Sequence, residues 1–109
     1  MIMISSEKLS AYSLFFGTLA NECRLLITNA LRDGPKNVSQ ICKSTGFEQS
    51  RVSHNLKELE YHGMVFRKRE GKFQYYSLNM KTIKPLLDLI DSHMKQYCCK
   101  IVRGERQRS

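Results

Sequence analysis

"STGFEQSRVSHNLKELEYHG", residues 44–63, decides how this chain is read. At its centre, Val52 and Leu56 stand one helical turn apart, and Leu59 continues the stripe. Apolar residues at that spacing bury one face of a helix. Ser50, Ser53, His54 and Lys57 then cluster on the opposite face. Packing accounts for the first face only. The second is either a solvated surface or one that reads a partner, and the two readings stand level until the flanks are considered.

Upstream, "NVSQICKSTG" (37–46) has the form of a short helix. Asn37 and Gln40 have the spacing of a capping box. Val38, Ile41 and Cys42 face inward, and Gly46 closes the helix. A brief "TGF" turn leads into a fourth helix, about Glu48 to Tyr61, ended by Gly63. Two helices joined by a short turn containing Gly form a helix-turn-helix. Downstream, "MVFRKREGKFQYYSL" (64–78) changes to an extended period, with two β-rich arms around a turn at Gly71. Further out, Ser5 and Ser6 can cap a first helix carrying Leu9, Tyr12 and Phe16, interrupted at Gly17. Asn21 can cap a second with Cys23, Ile27, Ala30 and Leu31 inside, stopped by Gly34-Pro35. Ile83, Leu87, Ile90, Met94, Tyr97 and Ile101 form a long closing stripe, with Pro85 tolerated in its first turn. The expected fold is mainly α with a small β-hairpin (ααααββα), a winged helix-turn-helix. It fills a single domain over residues 1–99, with a basic tail at 100–109.

The totals agree with such a domain. The chain has 109 residues, and its 41% hydrophobic and 26% charged content is that of a globular protein rather than a disordered one. No apolar run reaches the roughly 20 residues of a membrane helix. The opening "MIMISSEKLS" lacks the apolar core of a secretory leader, so a cytoplasmic location is expected. There the four cysteines are not expected to pair as disulfides. Eighteen Lys and Arg against ten Asp and Glu leave a net charge of +8, which favours a polyanion or simply aids solubility.

This setting tips the reading of the polar face toward double-stranded DNA. A helix entering the major groove needs small or hydrogen-bonding side chains on its outer face. Gln49, near the helix start, can reach an adenine edge. Ser50, Arg51 and Ser53 can reach bases or phosphates, and His54 and Lys57 lie further along. The hairpin brings Arg67, Lys68, Arg69 and Lys72 to a wing suited to phosphates or the minor groove. Of Tyr75 and Tyr76, one is expected in the core and the other, taken as Tyr75, on the wing. Glu58, Glu60 and Glu70 oppose DNA, so the footprint is a patch. An enzyme is not expected: His54 and His62 have no carboxylate at catalytic spacing, and His93 has only thiols nearby. A winged-helix protein-interaction module is the weaker alternative, since the wing is cationic.

At these residues the sequence resembles the ArsR/SmtB family of winged-helix repressors. "LANECRLLITNAL" (19–31) is similar to the family's "LADPTRLRILxxL", with Arg24-Leu25 matching its Arg-Leu. "QSRVSHNLKELEYHGMV" (49–65) is similar to "QSTVSHHLKVLREAGLV", and "REGKFQYYSL" (69–78) to "REGRWVYYSL". The likeness covers roughly residues 7 to 97. It implies a homodimer through the first and last helices, a palindromic operator, and release on binding an effector. The sequence supports the dimer separately. Leu9, Tyr12 and Phe16 on the first helix, and Ile83, Leu87, Ile90, Met94 and Tyr97 on the last, are stripes that so short a chain struggles to cover.

The family's metal positions are altered. Where a "CVCDLC"-like run would stand, "NVSQIC" (37–42) keeps Cys42 alone. Where the last-helix site would draw its ligands stand Asn79, Lys81, Ser92 and Lys95. Cys98 and Cys99, with His93 nearby, are the remaining candidates for a soft ion such as Zn, Cd or arsenite. Thiol-based redox sensing, incidental cysteines and a constitutive regulator without an effector stay open beside that reading.

Overall fold

The computed structural model describes residues 3–98. Among them run α1 (Ser6–Leu19), α2 (Glu22–Ala30), β1 (Lys36–Asn37), α3 (Val38–Thr45), α4 (Gln49–Tyr61), β2 (Val65–Glu70), β3 (Phe73–Leu78) and α5 (Ile83–Tyr97). The chain divides into two compact units, one ending at Asn79 and one starting at Met80. None of the described helices is long and apolar enough to cross a membrane.

In the first unit the starts of α1, α2 and α3 are set by side chains that satisfy orphan backbone donors. Ser5 accepts from the Lys8 amide, and Asn21 from the Arg24 amide. Asn37 and Gln40 cap each other reciprocally, both bonds at 2.9 Å. Gly46 ends α3 at φ +82°, a conformation that costs glycine nothing and other residues a good deal. Ile27, Ile41, Val52, Leu56, Leu59 and Val65 are fully buried and form the centre of the core. Helices α2, α3 and α4 pack on one another around it, and α4 packs on β2.

Two features depart from the sequence expectation. Helix α1 does not stop at Gly17 but continues to Leu19. A glycine inside a helix costs only about 1 kcal/mol, and the Thr18 hydroxyl donates to the Leu14 carbonyl at 2.7 Å across that turn. The hairpin is joined by a third strand, β1, in the antiparallel order β1-β3-β2 with Lys36 opposite Tyr76. Two residues after a proline are too short to show any alternation, so this strand left no readable pattern. Helix α4 runs as expected, starting at Gln49 with Glu48 as its cap residue and ending at Tyr61.

The wing turns through Gly71 and Lys72, with Glu70 opposite Phe73. Gly71 has φ +62° and Lys72 no positive φ, the pattern of a type II′ turn, which matches the twist of the flanking strands. Strand alternation puts Val65, Arg67 and Arg69 on one face of the hairpin, and Phe66, Lys68 and Glu70 on the other.

In the second unit α5 carries Ile83, Leu87, Ile90, Met94 and Tyr97 as expected. Lys84 pairs with Asp88 at 2.6 Å. Cys98 lies just past the helix, at φ −127° and ψ 31°, and Cys99 and the expected tail at 100–109 fall outside the described residues.

Candidate nucleic-acid interface

Helix α4 is sharply two-sided. Val52, Leu56 and Leu59 are 0% exposed, whereas Gln49, Ser50, Arg51, His54 and Lys57 are exposed and Ser53 is half-buried. Most of these side chains are therefore available to a partner, but two are already engaged. The Ser50 hydroxyl donates to Glu48 Oε1 at 3.2 Å. The Arg51 guanidinium lies 4.2 Å from the centre of the Phe47 ring, a cation–π arrangement. Arg51 is held toward Phe47 rather than extended outward. Glu48 adds a carboxylate at the start of the helix that the sequence reading did not weigh.

The sequence reading also passed over Asn55. It is buried, and all its hydrogen bonds are internal. Its Nδ2 donates to the Arg51 carbonyl at 2.9 Å and to the Cys23 thiol at 3.4 Å, and its Oδ1 accepts from Arg24 Nε at 2.8 Å. A signal existed: Asn55 lies three residues after Val52 and four before Leu59, inside the buried stripe. Burial pushes the Cys23 thiol above its ordinary range, and the neighbouring Arg51 and Arg24 guanidiniums and the Asn55 amide only partly offset this. Cys23 is a core residue, as expected, and Cys42 is half-buried.

On the wing, Arg67 is not at the tip but in mid-strand opposite Tyr76. It reaches Glu60 of α4 at 3.5 Å and Gln74 at 3.4 Å. Arg69 folds back to the Gly71 carbonyl at 3.1 Å. Lys68 and Lys72 are exposed, with the Lys72 ammonium 5.7 Å from the centre of the Phe73 ring. Tyr76 is buried and Tyr75 half-exposed, the division expected of that pair. Tyr75 lines an open cavity of about 310 Å³ with Pro35, Lys68, Glu70 and Ser77.

On α1, Leu9, Tyr12 and Phe16 are 53%, 48% and 58% exposed. On α5, Ile90 and Tyr97 are exposed, while Leu87 and Met94 are half-buried. Ile83 is the exception in the expected dimer set. At 1% exposure it is already covered within the chain and has no surface left for a second copy. Leu89 is exposed as well, off the expected stripe.

No group of three or more His, Cys, Asp and Glu side chains able to hold a metal ion occurs among the described residues. The nearest approach is the Cys98 sulfur, 3.8 Å from His93 Nε2, with the His93 ring stacked obliquely on Tyr97 at 5.2 Å. Two donors are fewer than the four that close a structural zinc site.

A buried-faced helix with a polar outer side, preceded by a helix and a tight turn and followed by a cationic hairpin, defines a winged helix-turn-helix domain. Comparison with known proteins narrows the class. The profile for bacterial regulatory proteins of the arsR family matches residues 21–66. The HTH-type transcriptional regulator NmtR of Mycobacterium tuberculosis is 41% identical over 70 residues, 64% of this chain and 58% of its own length. The chain thus spans little more than half of that relative. The transcriptional activator HlyU of Vibrio cholerae is 29% identical over 80 residues, covering 73% of this chain and 71% of HlyU. Among solved structures, the homodimeric winged helix-turn-helix DNA-binding domain of Mb0332 from Mycobacterium bovis superposes with a TM-score of 0.73, at 26% identity over the whole of both chains. Over its helix-turn-helix, this chain is thus similar to the arsR family.

Proposed function

We propose that the chain binds a palindromic operator as a homodimer and represses transcription there, with α4 in the major groove and the β2–β3 wing on flanking phosphates. The observation that carries this reading is the division of α4. Its inner stripe is fully buried, while Gln49, Ser50, His54 and Lys57 are exposed. Side chains of that size and chemistry suit base edges and phosphates, and Lys68, Lys72 and Tyr75 suit the adjoining backbone. The half-exposed apolar residues of α1, and those of α5 other than Ile83, support a two-fold partner of the same sequence. Such a dimer would set two reading helices about 34 Å apart, one turn of DNA. Because HlyU is named an activator, the direction of regulation rests on a transcription assay.

The test is binding to DNA upstream of the chain's own gene, and to duplexes selected from a randomised pool. Expected is a preferred, two-fold-symmetric sequence, with His54→Ala relaxing preference at one position per half-site. A folded chain with no preferred duplex at moderate salt would refute the reading.

A second reading concerns release. The approach of Cys98 to His93 supports a soft-metal or redox input at the end of α5, with Cys99 as the further thiol. Operator affinity compared for reduced, oxidised, Zn-, Cd- and arsenite-treated protein decides it. Equal affinity in every condition leaves a regulator without that input.

A further inference from the structure

We propose that Arg24 is a positioning residue that ties the end of α1 to the middle of α4 and so fixes the pitch at which α4 presents its outer face. This rests on α4 being the element that reads DNA. Arg24 Nε donates to Asn55 Oδ1 at 2.8 Å, and its Nη1 donates to the Thr18 carbonyl at 3.1 Å. One planar fork thus joins two helices, a geometry that a lysine ammonium does not reproduce. Both ends are buried: Asn55 is 6% exposed and Thr18 5%. The cation also sits at the C-terminal end of α1, where unpaired carbonyls favour positive charge.

The bridge is anchored on α4 at an informative place. Asn55 is held on its own helix by the Arg51 carbonyl, so a pull on its amide acts on the α4 backbone itself. His54 is the adjacent residue, and Ser53 and Lys57 are within two. Without Arg24, Asn55 Oδ1 and the Thr18 carbonyl are left in a buried setting with no charged donor. Unpaired buried acceptors are costly, so α4 shifts to find substitutes. A shift there changes which base edges its outer side chains meet, while the exposed lysines of the wing keep their phosphates. The same bridge means that whatever seats on Leu9, Tyr12 and Phe16 of α1 is one guanidinium away from the reading helix.

The readout is the specificity ratio, the affinity for the duplex that the wild-type chain prefers in a randomised pool over that for a scrambled duplex of equal length. Fluorescence anisotropy gives it for wild type, Arg24→Lys, Asn55→Ala and the double variant, with melting and salt dependence measured alongside. Arg24→Lys and Asn55→Ala should each cut the ratio roughly tenfold, and the double variant no further, as for two residues in one network. The salt slope should stay at the wild-type value. A ratio unchanged in Arg24→Lys, or losses that multiply in the double variant, overturns the role. So does a lowered melting temperature with an unmoved ratio, which marks a support that is structural only. Should Arg24→Lys not fold, Asn55→Ser makes the same comparison from the other end of the bridge. A wild-type chain with no preferred duplex refutes the reading of α4 itself, and this role with it.

Discussion

Lys72 offers the sharpest test of the wing. It follows Gly71 in the β2–β3 turn and is exposed, so its charge is available to a phosphate. Each phosphate neutralised in duplex DNA contributes about 0.9 to the slope of log affinity against log salt, and about fivefold in affinity near 0.15 M salt. Lys72→Ala should therefore reduce the slope by about 0.9 and weaken binding about fivefold, equally on preferred and scrambled duplexes. Arg67 is the internal control. Its guanidinium is engaged by Glu60 at 3.5 Å, so Arg67→Ala should move the slope by well under that amount. Both partners are partly exposed, so the pair stabilises the fold by at most about 1 kcal/mol. Neither variant should melt much below wild type, which keeps the comparison free of unfolding. The assay is anisotropy across a salt series on both duplexes. A wild-type slope in Lys72→Ala, or a loss confined to the preferred duplex, would refute a wing that holds DNA by charge alone.

Three further outcomes follow from the first unit. Leu56→Ala empties a fully buried site on α4, and urea unfolding should show a loss of about 2–5 kcal/mol. Glu48→Gln removes a carboxylate charge from the start of α4 while keeping an acceptor for the Ser50 hydroxyl, so affinity for all duplexes should rise by about 1 kcal/mol. Cys23, buried and with its thiol pushed up, should resist maleimide at about pH 8 while half-buried Cys42 reacts, as peptide mass mapping will read. The linked stability has a definite sign. The unfolded thiol loses its proton near pH 8.5 and the folded one later, so stability present below that pH declines as the pH rises through and beyond it.

The elements with strong periodicity were legible in the sequence. Val52, Leu56 and Leu59 announced α4, the Asn37–Gln40 spacing announced the cap of α3, and Gly71 announced the wing turn. What escaped depends on tertiary geometry. Strand β1 exists because β3 offers it an edge at Tyr75 and Tyr76, not because Lys36-Asn37 prefers to be extended. Arg67 and Arg51 were both assigned to DNA contact, and only the fold brings Glu60 and Phe47 to them. Ile83 matched the stripe of α5 as well as Ile90 did, since periodicity reports a face and not how much of it the chain already covers. Asn55 is the instructive miss. A polar residue within a buried stripe signals a network, and its partners Arg24 and Cys23 lie 31 and 32 residues away in sequence.

Asn79 shows how a departure from the family pattern can have its own physical reason. It stands where the resemblance would place an acidic ligand, and here its Nδ2 donates to the Gly63 carbonyl at 3.0 Å, while its backbone amide donates to the Met64 carbonyl at 2.9 Å. Gly63 and Met64 form the joint between α4 and β2, where Gly63 takes φ +72° and Met64 is buried. The side chain thus pins the end of β3 to the corner that sets the wing's angle on α4. An aspartate cannot replace it, because a carboxylate would face the carbonyl acceptor with another acceptor and no proton to share. An amide makes this clasp and is a poor anionic ligand, so the one substitution strengthens the corner and gives up the charge a metal would want. The Glu60–Arg67 pair spans the same two elements. Helix and wing are therefore held together at two points, a direct clasp at the corner and an exposed ion pair further out. Of the two, only the ion pair weakens as salt rises.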